Sequence, residues 1–436
     1  MSNTTSDIYN DDVTYTCKNS GIIYPAYRGL KTEFNGNIIV NSTGTGGVRI
    51  GATTGASTLL SSKKILVGSD GFSAGMLTLG NFTSLDPNEQ SLLLTGSSIV
   101  TLGPASSFAG PFTGEAGGFC LSGATFNGSA SFTKNGSSSD QGTGNNIFNG
   151  TTSIINNGTG YILLSNTTRD IYNATVTYSC TNSGIIYPAY RGVNTEYNQG
   201  IIVNSTGTGG VRIGASTGSD VLASSGNISV GSNGFSNGML MLGNFNSLPT
   251  GPQSFVLTGN GILSLGPAST FEGNMTAVSG GVSLNGAIFN GTATFTKTGT
   301  TNDQSTGNNI FNGQTHITNE GAGYILLSSS RKDIFNANVT FSNRSSGITY
   351  VSYTGLGNEF NENIYINSTG TGSIRFGTNT GTSTLASSKL TKALLNAGIL
   401  CRFSVLKIKT VSFLPAIERI TSSIASTKTS RKFSSG

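Results

Sequence analysis

The segment from 145 to 214 contains three consecutive versions of one short unit, and this repetition limits the possible folds more than any other feature. Phe148, Tyr172 and Tyr197 open the three units, at steps of 24 and 25 residues, and each is followed by Asn. Each unit continues with alternating apolar positions, a corner rich in Gly, Asn, Ser and Thr, and a second apolar run. Alternation with a period of two predicts strands, and this repeat spacing predicts stacked turns of a β-solenoid.

A longer repeat of 163 residues contains this unit. The tetrapeptide that begins at Asp7 returns at Asp170 and, with Phe in place of Tyr, at Asp333. Spacings between aromatic residues, with the widest gaps read as double steps, predict about eight turns of about 20 residues in each repeat. The repeats divide the chain into block 1 (1–169), block 2 (170–332), a partial block 3 (333–388) and a divergent tail (389–436).

The predicted fold is therefore all-β, a right-handed parallel β-helix. Gly and Asn at the corners suit the positive φ angles of tight turns, and Thr and Ser suit an exposed sheet surface. Stacked turns bring equivalent side chains into register, which predicts an aromatic stack and a hydrogen-bonded Asn ladder, with ordinary turn asparagines as the alternative. The aromatic candidates are Tyr9, Phe34, Phe126, Phe148, Tyr172, Tyr197, Phe289, Phe311, Phe335 and Phe360, and the ladder candidates are Asn10, Asn35, Asn149, Asn173, Asn198, Asn312, Asn336 and Asn361.

Both ends of the sequence depart from the repeat. Residues 1–5 match the middle of a block, at 164–168, so we expect an array that continues before Met1. The tail 389–436 has only two Gly and one Asn, is basic, and is predicted to be partly helical or disordered. A reading-frame change and a genuine C-terminal anchor are the two interpretations. We find neither a signal-peptide pattern in residues 1–30 nor an apolar run long enough to span a membrane.

The charge distribution argues against nucleic acid as a partner. The tail carries nine Lys and Arg and one acid, Glu418, so the remaining residues carry 15 basic and 18 acidic groups. A nearly neutral body lacks the basic patch that phosphate backbones require.

Few residues are candidates for catalysis. His316 is the only histidine, and block 1 has Ser153 in its place, so neither a catalytic triad nor a histidine metal site is expected. Four unpaired cysteines at unsuitable spacings predict neither disulfides nor a metal site. We therefore predict no catalytic, cofactor-binding or metal-binding residue, and no cofactor. The acids that recur between blocks are Asp7, Asp170 and Asp333, Glu33, Glu196 and Glu359, and Asp140 and Asp303.

These acids are interpreted as turn or ion-pair residues. A hydrolase requires two carboxyl groups on one face, within about 5–10 Å. Asp7 and Glu33 precede their aromatic residues by two and by one position, so alternation places them on opposite faces. Arg49, with its equivalents Arg212 and Arg375, could pair with such acids. The tyrosine pair that begins at Tyr24 also recurs, and it would stack on sugars if exposed or join the core if buried.

The motifs FNGxxxI, NNGTGYILLS and EFNxNIxxNSTGTG, together with the tandem copies, resemble bacterial β-strand-repeat surface proteins, and more distantly filamentous-haemagglutinin-type adhesins and autotransporter passenger regions. The resemblance covers residues 1–388. It implies an extracellular or cell-surface, non-enzymatic adhesin or spacer, with surface glycans or other surface proteins as partners. A carbohydrate-active β-helix is the first alternative. An ice- or surface-binding array, suggested by the Thr-Gly-Thr sequence at 43–45 and its copies, is the second.

Overall fold

A computed structural model describes residues 5–27, 31–51, 59–191, 194–214, 222–353 and 357–377, and three short strands at 386–387, 392–395 and 402–403. The described residues form strands, turns and bends and no helix. The strands pair in parallel between successive turns, which makes the fold an all-β solenoid with about 24 residues in each turn.

Each turn contributes one strand to each of three stacks, which we number 1 to 3 in the order in which the chain passes through them. Stack 1 is one continuous sheet of 17 strands. Its strands are Ile8–Tyr9, Glu33–Phe34, Leu59–Ser61, Phe82–Ser84, Ser106–Phe108, Ala124–Phe126, Ile147–Phe148, Ile171–Tyr172, Glu196–Tyr197, Leu222–Ser224, Phe245–Ser247, Ser269–Phe271, Ala287–Phe289, Ile310–Phe311, Ile334–Phe335, Glu359–Phe360 and Ala386–Ser387.

Stack 2 contains the longest strands, and stack 3 follows it after a corner. The stack 2 strands are Val13–Cys17, Ile38–Ser42, Ile65–Phe72, Gln90–Leu93, Phe112–Ala116, Ala130–Lys134, Thr152–Asn156, Val176–Cys180, Ile201–Ser205, Ile228–Phe235, Gln253–Val256, Met275–Ser279, Ala293–Lys297, Thr315–Asn319, Val339–Asn343, Ile364–Ser368 and Lys392–Leu395. The stack 3 strands are Ile22–Ile23, Gly47–Ile50, Met76–Leu79, Ile99–Leu102, Gly118–Leu121, Asp140–Gln141, Ile162–Leu163, Ile185–Tyr187, Gly210–Ile213, Met239–Leu242, Ile262–Leu265, Gly281–Leu284, Asp303–Gln304, Ile325–Leu326, Thr349–Ser352, Ile374–Phe376 and Arg402–Phe403.

The core lies between the three stacks and follows from the alternation of the sequence. In the strand Val176–Cys180, the side chains of Val176, Tyr178 and Cys180 are buried, whereas Thr177 lies at the surface. Successive side chains of a strand point to opposite faces, so each strand contributes every second side chain to the interior. Fully burying one such apolar side chain stabilises the fold by about 1.5–3 kcal/mol.

The corners require unusual backbone conformations at a few positions. Gly210 begins a stack 3 strand with a φ of 100°, and a Cβ atom there would lie 2.3 Å from the carbonyl oxygen of Met239 in the next turn. Asn145 and Asn308, at equivalent corners, adopt φ values of 64° and 68°. Glycine and asparagine tolerate positive φ better than other residues do, which explains their frequency at these corners.

Each of the two complete blocks contains seven turns rather than the predicted eight, and the average turn is longer than 20 residues. Phe72, an aromatic residue in this part of block 1, ends a stack 2 strand and does not open a turn. The stack 1 position passes from Phe34 to Ser61, then to Ser84 and Phe108. Two turns in this part of block 1 therefore have serine where the others have an aromatic ring, and the sequence offers no aromatic marker for them.

Stacks 2 and 3 are each interrupted once in each of the two complete blocks, and a side chain bridges each interruption. Between the stack 2 strands Ile65–Phe72 and Gln90–Leu93, the amide of Gln90 accepts a hydrogen bond from Ile65 N and donates one to Ile65 O, at 2.8 and 2.7 Å. Between the stack 3 strands Gly118–Leu121 and Asp140–Gln141, the carboxylate of Asp140 accepts from Phe119 N at 3.0 Å. Side chains thus replace missing backbone partners, which buried amides require.

Only two short parts of the tail are described. Lys392–Leu395 pairs in parallel with the stack 2 strand before it, and Arg402–Phe403 pairs with the stack 3 strand before it. These segments are strands, so the predicted helical character is not found in them. They extend the ladders past residue 388, where the sequence pattern of the repeat stops. The remaining tail residues, including Cys401, lie outside the described part.

Candidate functional surface

The recurring aspartates of stack 1 lie inside the solenoid. Asp170 is fully buried and accepts hydrogen bonds from Asn146 N and Nδ2, at 2.8 and 2.9 Å, and from Ser165 Oγ at 2.6 Å. Asp333 has the equivalent partners Asn309 and Ser328, whereas Asp7 is half-buried. Burial raises the pKa of Asp170 and of Asp333 to about 6, and the donated hydrogen bonds oppose that rise. These carboxyl groups tie neighbouring turns together and are inaccessible to a substrate.

The raised pKa of Asp170 makes stability depend on pH. The folded chain binds this proton more tightly than the unfolded chain, whose carboxyl has a pKa near 3.9. Stability from this group is therefore complete below about pH 4 and declines through about pH 6, by about 3 kcal/mol in total. We expect a lower urea midpoint at pH 8 than at pH 5. Asp170→Asn should reduce this difference, because an amide mimics the protonated acid and can keep the same partners.

The control for this pH experiment is Asp11→Asn, which removes a carboxylate that is exposed. We expect this change to leave the difference between the midpoints at pH 5 and pH 8 as it is in the wild-type chain. Tyr172, Tyr178 and Tyr197 surround Asp170, and their phenols stay neutral at both pH values because burial raises their pKa. An Asp170→Asn variant with the full wild-type difference would contradict the assignment.

A buried ion pair accompanies each interruption of stack 3. Lys134 Nζ donates to Asp140 Oδ2 at 2.7 Å, to Gly117 O at 3.1 Å and to Ser138 Oγ at 3.3 Å. Lys297 and Asp303 repeat the pair in block 2, at 2.8 Å. Burial raises the pKa of Asp303, and the bond to Lys297 opposes this rise. These two lysines were not predicted from the sequence.

The recurring glutamates of stack 1 point outward, opposite to the neighbouring aspartates. Glu196 pairs with Arg169 of the preceding turn, and Glu359 pairs with Lys332. Both pairs are largely exposed, so each contributes about 1 kcal/mol at most. The structure thus brings none of these glutamates together with the buried aspartates at a common surface.

The asparagines beside the aromatic residues bond to one another along the outside of stack 1. Asn149 donates to Asn127 and accepts from Asn173, which in turn accepts from Asn198, at 2.8–2.9 Å. A matching ladder in block 2 and block 3 joins Asn290, Asn312, Asn336 and Asn361, and Asn35 donates to Asn10 at 3.1 Å. All eight candidates lie in these ladders. Asn127 and Asn290 belong to them as well, although they are not among the predicted ladder residues.

The aromatic rings stack inside the same strands. Phe126, Phe148, Tyr172 and Tyr197 lie ring over ring at 4.8–5.2 Å and within 7° of parallel. Phe289, Phe311, Phe335 and Phe360 form the second column, and Tyr9 stacks on Phe34. Phe108 and Phe271, which were not among the candidates, extend the two longer columns by one ring each.

The outer surface of stack 2 carries rows of hydroxyl groups. Ser91, Thr113, Ser131, Ser153 and Thr177 are in register on successive turns. His316 lies in the equivalent row of block 2, and its neighbours in register are Thr294 and Thr340. A groove of about 630 Å³ lies along the block 1 row.

Two glutamates lie at the block 1 hydroxyl row and have no equivalent in block 2. Thr113 Oγ1 donates to Glu89 Oε1 at 2.6 Å, and Glu89 lines the groove. Glu115, two residues after Thr113, accepts from Asn135 Nδ2 at 2.7 Å and lies outside the groove lining. Block 2 has Pro252 and Val278 at these positions.

Tyrosine and arginine side chains cluster on the outside of stack 3. We define cluster A as Tyr161, Tyr187, Tyr190 and Arg212, and cluster B as Tyr324, Tyr350, Tyr353 and Arg375. In cluster A, edge-to-face ring contacts at 6.0 and 5.3 Å join the tyrosines, and the guanidinium carbon lies 6.0 Å from the centre of the Tyr187 ring. Cluster B repeats these contacts at 5.8, 5.3 and 5.5 Å. All eight side chains are half-buried, so they belong neither to the core nor to a fully exposed strip.

The described cysteines are unpaired. Cys17 and Cys180 are buried, and Cys120 is partly exposed. Cys180 Sγ lies 3.0 Å from Gly210 O, and burial raises the pKa of its thiol to about 12. Within the described ranges, no group of three or more His, Cys, Asp or Glu residues is placed to hold a metal ion. In the same part of the chain, no helix has the length and apolar character of a membrane span.

Comparison with known proteins identifies no relative. No family model matches the chain, and neither a curated protein nor a solved structure is significantly similar to it. The candidate surfaces therefore rest on the geometry alone.

Proposed function

We propose that the chain is a non-enzymatic rod of an extracellular or cell-surface protein, which acts as an adhesin or a structural spacer. The observation that carries this proposal is the use of the recurring carboxylates. Asp170 and Asp333 are enclosed between turns, Asp140 and Asp303 are paired with buried lysines, and Glu196 and Glu359 form exposed pairs with cations of the preceding turn. What the blocks preserve is a set of contacts between turns.

The side surfaces of such a rod offer repeated, ordered binding groups. The Asn ladder, the hydroxyl rows and the tyrosine clusters each follow the rod axis, and turns repeat every ~4.8 Å. A surface that repeats along one axis suits a repetitive partner, such as a glycan chain or another cell-surface protein. We therefore propose that binding takes place along the sides of the rod.

The experiment compares beads coated with the folded chain and beads coated with the urea-unfolded chain on an immobilised panel of polysaccharides. We expect the folded chain to be retained on at least one polysaccharide, the unfolded chain to be washed off, and no reducing ends to be released. Equal retention of both forms would contradict binding by an ordered surface. Antibody labelling of intact source cells tests the proposed location, and labelling only after permeabilisation would contradict it.

A carbohydrate-active β-helix is the second candidate, and the two block 1 glutamates favour it. Glu89 and Glu115 lie on one surface, beside a groove, and occur in a single copy, as an active site would. If the chain cleaves a polysaccharide, Glu89→Gln should reduce the rate at least about 100-fold, because a hydrolase needs both carboxyl groups. Gln has nearly the same shape and can still accept from Thr113, so the groove should be preserved.

An ice- or surface-binding array has less support. Such an array requires an unbroken row of hydroxyl groups, and Ile202 and Tyr365 occupy the row after Thr177 and Thr340. The second row, two residues further along each strand, contains Ile155 between Thr133 and Ser179.

A further inference from the structure

Arg212 has no acid partner among the described residues. Arg169 pairs with Glu196, whereas no carboxylate of the described residues lies within 4.0 Å of the Arg212 guanidinium. Its Nε atom is buried and has no acceptor in the described part of the chain, and the same holds for Arg49. A buried donor without an acceptor destabilises the fold, and more strongly when it is charged.

The residues around Arg212 offer its guanidinium few hydrogen-bond acceptors in place of water. Tyr187 precedes it in the register of stack 3, and Met241 follows it. An aromatic face attracts a cation but offers no hydrogen-bond acceptor to the guanidinium N–H groups. Guanidinium donors form a planar fork that fits the oxygens of a carboxylate or a sulfate. An incoming oxyanion would therefore contact the outer N–H groups of this half-buried guanidinium, since Nε itself is buried.

The tyrosines beside the arginine are held in place. Gln141 Nε2 donates to the Tyr161 hydroxyl at 2.8 Å, and Gln304 Nε2 donates to the Tyr324 hydroxyl at 3.2 Å in cluster B. Since each phenol oxygen accepts from the amide, its own hydrogen remains available to a ligand hydroxyl or ring oxygen. Amphipathic rings of this kind bind through an apolar face and a polar edge at little entropic cost.

Cluster B has the same design with one difference. Arg375 Nε donates to Ser373 Oγ at 2.9 Å, and Nη1 donates to the Tyr350 hydroxyl at 3.5 Å. The position of Ser373 is Gly210 in cluster A, which has no side chain to offer. No carboxylate among the described residues is within ion-pair distance of Arg375 either. The outer N–H groups of the guanidinium therefore still lack an anion.

We propose that clusters A and B bind an acidic polysaccharide, with each guanidinium on a carboxylate or sulfate group and the tyrosines on the sugar ring. This inference rests on the proposed rod function and names its ligand class. Equivalent residues of the two clusters are 163 positions and seven turns apart, which corresponds to about 34 Å along the axis. Two sites at that distance bind a long polymer with avidity, whereas a single sugar unit reaches only one of them.

The experiment measures binding of the whole chain to immobilised polygalacturonate, dextran sulfate and uncharged dextran by biolayer interferometry. The test variant is Arg212→Ala with Arg375→Ala. The matched control is Arg169→Ala with Arg344→Ala, which removes the same charge from two exposed arginines that pair with glutamates. Thermal unfolding of each variant verifies that it folds like the wild type.

We expect the wild type to bind at least one of the two acidic polymers, and to bind it more weakly as salt is added. The cluster variant should bind that polymer at least about tenfold more weakly, because both sites of a bivalent contact are lost, while the control should stay within about twofold. Comparison of the carboxylated with the sulfated polymer identifies the oxyanion. Galacturonic acid alone should compete poorly with the polymer.

Two results would overturn the inference, and a third, different result would overturn the rod function. Equal binding of an acidic polymer by the wild type and the cluster variant would remove the clusters from the site. Binding of uncharged dextran alone would leave the adhesive rod in place and exclude an acidic ligand. Release of soluble sugars would instead overturn the non-enzymatic function itself.

Discussion

Replacing Lys134 with methionine is expected to destabilise its turns by about 3–5 kcal/mol, because the change leaves the Asp140 carboxylate buried without a cation. Both side chains are almost completely inaccessible, at 0% and 2% exposure. The ammonium group uses three acceptors, so the variant also leaves Gly117 O without its lysine partner. Methionine fills a similar volume, which keeps packing from dominating the result.

Hydrogen exchange resolved by peptide is the suitable measurement for Lys134→Met. Neighbouring turns of a solenoid contribute separately to its stability, so the loss should appear in strands around 112–134 first. The equivalent strands of block 2, around Lys297, serve as an internal reference within the same molecule. Exchange that accelerates equally in both blocks would contradict a local role for the pair.

Two further variants separate the contributions of charge and position. Arg344→Met breaks an exposed pair with Glu320, and we expect a loss of about 1 kcal/mol or less. Adding Asp140→Asn to Lys134→Met should restore part of the stability, because the unpaired buried charge is then removed. If Lys134→Met costs no more than Arg344→Met, the buried pair does not hold the interruption of stack 3 together.

Phe311→Ala is expected to destabilise the chain by about 3–5 kcal/mol. The Phe311 ring is 1% exposed and lies between those of Phe289 and Phe335, at 5.0 and 4.7 Å and nearly parallel to both. Removing it opens a cavity between two turns whose backbones are fixed by ladders on three sides, so little collapse can fill the space. The urea midpoint and the slope of the transition measure the loss.

The next residue provides the matched control for the aromatic column. Asn312 lies in the same turn, but its side chain is outside, where it donates to Asn290 at 2.7 Å and accepts from Asn336 at 2.8 Å. We expect Asn312→Ala to cost about 1 kcal/mol, since water can replace both bonds of an exposed amide. Equal losses for the two variants would mean that the ladder stabilises the turns as much as the ring column does.

The repeated pattern could predict the solenoid because the alternation of apolar and polar residues in each short strand shows which face is buried. An aromatic residue such as Phe148, Tyr172 or Tyr197 identifies the stack 1 strand in each turn that contains one. Ser61 and Ser84 cannot mark it, since a serine in a three-residue strand looks like any other serine of the sequence. The number of residues in each turn was therefore underestimated, whereas the type of fold was predicted correctly.

The buried lysine could have been found by the same alternation that revealed the core. Ala130, Phe132 and Lys134 follow one another at every second position, so a strand over these residues points all three inward. The lysine then requires an acid, and Asp140 recurs six residues later in both complete blocks. By contrast, the bridge from Gln90 to Ile65 depends on two strands failing to pair, which no local pattern reveals.

The clusters of stack 3 show where sequence reasoning reaches its limit. The pairs of tyrosines and the recurring arginine were visible, and two roles, core packing and sugar stacking, remained open for the rings. Ile186 pairs with Val211 of the next turn. The residues that follow them, Tyr187 and Arg212, therefore lie side by side. The register of strands in adjacent turns determines which cation contacts which ring. The linear sequence pattern does not specify this register.

The staggered interruptions of the sheets have a mechanical consequence. Stack 2 is interrupted after its strand at 65–72 and stack 3 after its strand at 118–121, and the two sites lie in different turns. Adjacent turns in these parts therefore remain joined by backbone hydrogen bonds in at least two stacks. A force along the axis must break both of these ladders to separate two turns. The first junctions to separate under a pulling force should be those at the interruptions, which occur twice in each complete 163-residue block.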